Sequence, residues 1–115
     1  MNDKLKYSKL QEEAIAKLVG GKRVAGSGNG AFNGGDVLTE RWFFECKTVT
    51  TEKDSYSVKK SVLNKLKEQT FEQRKEYGAL AFRFSPEGKD YFVVDANTFE
   101  HMMNCTNYCD KTTLL

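Results

Sequence analysis

Eight residues, "RWFFECKT" from Arg41 to Thr48, constrain this chain more than any other stretch. An apolar, aromatic-rich run bounded by charges reads as a buried strand. Side chains alternate between the two faces of a strand. Trp42, Phe44 and Cys46 therefore share one face, and Phe43, Glu45 and Lys47 share the other. Just upstream, Asp36-Val37-Leu38 reads as a second short strand and Thr39-Glu40 as a turn, which makes a hairpin. The pattern sets a carboxylate and an amine side by side at the end of a buried strand, with Asp36 on the neighbouring strand nine residues before Glu45.

The rest of the chain organises around that hairpin. Ser8 to Val19 reads as a helix, with Tyr7, Leu10, Ala14 and Leu18 at the spacing of one apolar face, ended by Gly20-Gly21. A short strand is expected around Arg23 to Ala25, followed by the glycine-rich loop "GSGNGAFNGG". After the polar loop "TTEKDSYS", a helical period runs from Tyr56 to about Tyr77 through Val58, Val62, Leu66, Thr70 and Gln73, with Leu63 at its edge and Gly78 closing it. "ALAFRF" and "DYFVVD" read as strands around a turn at Pro86, and Asn97 to about Asn104 as a final helix capped by Asn97. The order α, three strands, α, two strands, α predicts an α/β fold: a mixed central sheet of about five strands flanked by helices.

With 115 residues, the chain suits a single domain, 1–115. At 39% apolar and 12% aromatic residues it can fill one core. No apolar run approaches membrane-spanning length, and the polar start "MNDKLKYSKLQEEA" is not that of a signal peptide. Three cysteines without a secretion signal suggest free thiols in a cytoplasm. Charge is unevenly spread. Arg41 to Lys67 holds seven basic against three acidic residues, and Pro86 to the end holds two against five. A basic middle suits a domain with one anion-facing side.

Two carboxylates brought close on one face repel unless a cation lies between them. Such oxygen donors, with positions left open for water and phosphate, suit Mg2+ or Mn2+. An ammonium beside them, Lys47, can orient a water or stabilise developing negative charge. A Glu-x-Lys pair alone is more often a solvated surface pair. The added Asp36, the glycines before it and the aromatic strand between give the pattern its weight.

Asp36 with Glu45-Cys46-Lys47 resembles the motif of PD-(D/E)xK nucleases. "RVAGSG" and a Glu-bearing first helix make the stretch from about Gln11 to Phe84 similar to archaeal-type Holliday junction resolvases and their small phage-encoded relatives. The proline usual before the motif Asp is here Gly35. The resemblance implies a restriction-endonuclease-like core and an Mg2+- or Mn2+-dependent endonuclease acting on branched DNA as a homodimer. It implies Asp36, Glu45 and the Cys46 backbone carbonyl as metal ligands, and Lys47 as the residue that positions the attacking water. A helix Glu would complete the ligand set. Both Glu12 and Glu13 are available, and Glu13 lies nearer the apolar face. Ser27 matches a Ser close to the scissile phosphate, and Gln69 or Gln73 a Gln that turns into the site.

Arg23, Ser27, Lys59, Lys60 and Lys65 are candidate DNA contacts, with Lys67 on the same basic helix. No Gly-Lys-Ser/Thr follows the glycine loop, which excludes a P-loop. Phe71 and the last helix are candidates for a dimer interface. His101, Cys105 and Cys109 recur every four residues, but three ligands at a chain end fall short of a structural zinc site.

Overall fold

The computed structural model describes residues 3–24 and 35–114, with side chains as far as Thr106. The elements run α1 (Asp3–Val19), β1 (Lys22–Arg23), β2 (Asp36–Leu38), β3 (Trp42–Lys47), α2 (Lys60–Glu72), β4 (Tyr77–Phe82), β5 (Tyr91–Val93) and α3 (Ala96–Leu114). The fold is α/β, with one five-stranded mixed sheet in the order β1-β2-β3-β4-β5. Only β3 and β4 are parallel, and the other neighbours are antiparallel. Parallel neighbours need a long crossover, and α2 supplies it. Among the described residues, no helix is long and apolar enough to cross a membrane.

The pleat of β3 divides the core as its sequence predicts. Phe44 and Cys46 pack with Val37, Ala79, Ala81 and Ile15 beneath α1. Phe43 packs with Leu80 and Leu66 beneath α2, and Tyr56, Val62, Leu63 and Val93 surround them. Because α2 follows β3 and runs back to the start of β4, its N-terminus lies at the Lys47 end of the sheet. The connection confirms this placement, since Tyr56 stacks on Phe82 with centroids 4.3 Å apart and the Lys53 N–H donates to the Phe84 carbonyl.

The helices depart from their expected limits. α1 begins at Asp3, and its buried residues are Ser8, Gln11, Glu12 and Ile15. The apolar stripe read from the sequence points outward: Leu10 is 41% and Leu18 68% exposed. The buried face carries polar groups, several of them paired, although Gln11 Oε1 has no partner among the described residues. Gln11 donates from Nε2 to Asp90 Oδ1 at 3.1 Å, and Arg83 grips both Asp90 oxygens at 2.8 and 2.9 Å while donating to the Pro86 carbonyl. Buried charges persist when paired in this way.

α2 is shorter than the period suggested, since its register continues past the point where the backbone turns. Arg74 takes a φ of 58°, in the left-handed region, and Gln73 is the C-cap. Gly78 does not close the helix but lies in β4, where a side chain would collide with the Thr70 hydroxyl. α3 starts one residue earlier than expected and extends further. Its cap is Asp95 and not Asn97: Asp95 Oδ1 accepts from the Thr98 N–H at 2.8 Å, which holds its carboxyl below the usual range.

Candidate functional site

The site begins with a register. Asp36 stands directly opposite Glu45 across the β2–β3 pair. The next pair outward is bonded, with the Cys46 N–H donating to the Gly35 carbonyl at 3.1 Å. Bonded and non-bonded pairs alternate along an antiparallel ladder, so Asp36 and Glu45 form a non-bonded pair. Their Cα atoms are then only about 4.5 Å apart and their side chains share one face. That face is the α2 side of the sheet.

Lys47 sits two residues along the same face, its Nζ 3.3 Å from Glu45 Oε1. The other oxygen, Glu45 Oε2, is buried without a hydrogen-bond partner among the described residues. Glu45 is itself 8% exposed. A buried carboxylate oxygen with no donor is costly unless something else approaches it. Asp36 registers the crowding: burial, then Glu45 and Glu12, push its carboxyl from 3.8 up to about 7, against the opposing pull of Lys47 and Lys65.

α1 delivers the third acid. Glu12 is 6% exposed, and its carboxylate lies against the Gly35 backbone, where any side chain at position 35 would collide with it. Gly35, lacking a side chain, therefore makes room for a carboxylate. Glu12 Oε1 accepts from Arg23 Nε at 3.0 Å. Glu13, favoured by the sequence, is exposed and points away. The reason is the inverted face of α1, whose apolar stripe, taken as inward, faces out.

Other expected residues are placed unequally. Lys65 is exposed yet close enough for its charge to act on Asp36. Lys59 and Lys60 are exposed at the α2 N-terminus, which has no side-chain cap. Gln69 lies one turn beyond Lys65, with its Oε1 buried and unpartnered among the described residues. Gln73 is exposed and cannot serve. Cys46 turns its side chain to the α1 face, and burial pushes its thiol well above the ordinary range, so the carbonyl is the group it can offer. Ser27 and the glycine loop around it lie outside the described residues, as does the Cys109 side chain. His101 is engaged otherwise, stacked on Tyr77 and 2.8 Å from its hydroxyl.

Tyr56, which the sequence takes as the start of a helical period, lies in the connection before α2, which begins only at Lys60. Burial and the nearby Glu45 carboxylate raise its phenol, which puts its ring beside the site. Nothing in the local pattern signals this, because its position depends on stacking against Phe82 on another strand.

The donor set of Glu12, Asp36 and Glu45 is hard oxygen, suited to a divalent cation. Among the described residues, no three His, Cys, Asp or Glu side chains already converge as a metal cage. Two of the three acids are instead turned to cationic side chains, Glu12 to Arg23 and Glu45 to Lys47. No family model matches the sequence, and no curated protein or solved structure matches it either.

Proposed function

We propose that the protein is a divalent-metal-dependent DNA endonuclease of the PD-(D/E)xK type that acts on branched DNA, as a Holliday junction resolvase does. The observation that carries this reading is the pairing of Asp36 with Glu45, with Glu45 Oε2 buried and without a partner among the described residues and Lys47 3.3 Å from Oε1. Asp36, Glu45, Glu12 and the Cys46 carbonyl would hold Mg2+ or Mn2+, which when bound acidifies a water and stabilises charge on a phosphoryl oxygen. Lys47 donates hydrogen bonds to that water and orients it for attack in line with the leaving oxygen. Lys59, Lys60 and Lys65 draw the phosphate backbone onto the same side of the sheet.

A junction is cut symmetrically, so the proposal includes a two-fold homodimer. A groove of about 570 Å³ between α2, β4–β5 and the start of α3 supports it, lined by Leu66, Phe71, Tyr77, Val93 and Val94 among others. Phe71 is 83% exposed beside that groove. A cytoplasmic setting, that of the host cell for a phage-borne gene, suits the free thiols Cys46 and Cys105.

The test is cleavage of a fixed four-way junction and a linear duplex with Mg2+. The wild type should cut the junction at paired, symmetric positions. Asp36→Asn should lose at least about a hundredfold in rate while still binding DNA, by analogy with loss of a charge-stabilising group. Equal cutting of both substrates would replace the resolvase reading with a less selective nuclease. An active Asp36→Asn would remove the assigned site.

A further inference from the structure

The Arg23–Glu12 pair sits where the proposed metal would need an acid. Arg23 lies on β1, immediately before the glycine-rich stretch, with its side chain 37% exposed. Glu12 is nearly buried and is pinned against Gly35, one residue before Asp36. The guanidinium thus reaches in from solvent to neutralise a carboxylate that lies against the residue preceding Asp36. The independent sign of a missing ligand is the neighbouring Glu45 Oε2, more than nine-tenths buried and without a partner among the described residues.

We infer that Arg23 is a placeholder cation on Glu12: a divalent metal gains this carboxylate only when the guanidinium transfers to a backbone phosphate of bound DNA. The inference rests on the nuclease reading above. A guanidinium binds phosphate by the same forked hydrogen bonds it offers a carboxylate, so the transfer exchanges one partner for an equivalent one. Once Arg23 leaves, Glu12 remains buried among acids with no counter-ion, and a cation there becomes strongly favoured. DNA and metal would then strengthen each other's binding, and by reciprocity to the same extent. Arg23 is a positioning residue in this scheme, since it acts through Glu12. The device would keep the site incompletely loaded until a phosphate arrives.

Calorimetric Mn2+ binding without DNA tests it. Arg23→Ala and Arg23→Met, the latter keeping the apolar stem, should bind Mn2+ about tenfold tighter than wild type, within the usual range of coupling between sites. The gain should vanish when either is combined with Glu12→Gln. A purely structural role for Arg23 would weaken binding instead. The phosphate half is read from binding of a fixed four-way junction with and without Ca2+. Ca2+ should tighten the wild-type complex about tenfold more than the Arg23→Met complex. Unchanged or weaker Mn2+ binding in both Arg23 variants, or equal Ca2+ gains, overturns the inference and leaves the metal site standing. Absence of Mn2+ binding in wild type and variants alike overturns the nuclease reading and this inference together.

Discussion

Asp36 holds its proton more tightly in the fold than in the unfolded chain, because burial and two neighbouring acids disfavour its charge. An acid whose pKa rises on folding stabilises the fold most below its ordinary value of 3.8 and loses that contribution as pH climbs to about 7. The metal-free protein should therefore weaken between about pH 4 and pH 7 by about 1–2 kcal/mol at this half-exposed position, after allowance for solvent screening. Thermal unfolding across that range should show the loss in wild type and not in Asp36→Asn. The same proton competes with a cation, so Mn2+ affinity should rise with pH up to about 7 and then level off. At this scale the sequence pairs two acids and, for a helix acid, offers both Glu12 and Glu13 and favours Glu13, which the structure leaves exposed. Asp36 and Glu45 can be paired by counting along a hairpin. Choosing Glu12 over Glu13 requires knowing which face of α1 is buried, and that depends on Arg23, Gly35 and Asp90, none of them local to the helix.

At the scale of elements, local rules succeed where the element makes its own environment. β3 reads correctly because its apolar run is bounded by charges and both its faces are buried. α1 misleads because its inward face is satisfied by distant polar partners, while its leucines remain outside. The α2 ends misread for a related reason: hydrophobic period says nothing of backbone turning at Arg74 or of the Arg41 carbonyl accepting from the Glu76 and Tyr77 N–H groups to start β4. The helix face is checked by substitution. Ile15→Ala, at a position with no exposure, should destabilise by about 2–4 kcal/mol. Leu18→Ala, at an exposed position, should change stability by less than about 0.5 kcal/mol. Denaturant unfolding of the two variants decides it, and the opposite order would return the apolar stripe to the inside.

Across the whole molecule, net charge is a modest +2, so its arrangement matters more than its sum. The α2 N-terminus and its lysines lie at the end of the sheet that carries Asp36, Glu45 and Lys47. If these lysines grip phosphates, each releases counter-ions on binding. Replacing Lys59, Lys60 and Lys65 together by Ala should reduce the slope of log affinity against log salt by about 2–3, roughly one per contact, with little dependence on DNA sequence. An unchanged slope in a filter-binding series would move the DNA to another face.

The bond from Gln11 to Asp90 spans most of the chain. Gln11 is the residue beside Glu12, and among the described residues its Nε2 donates only to groups on and after β4. α1 already meets β2 and β3 through Ile15, but the partner of Gln11 arrives only with the turn around Pro86. During synthesis, a nascent chain shorter than about ninety residues would carry β2 and β3 with Gln11 still lacking its Asp90 partner. A chain built in this order would complete the packing of α1 only when most of it has left the ribosome.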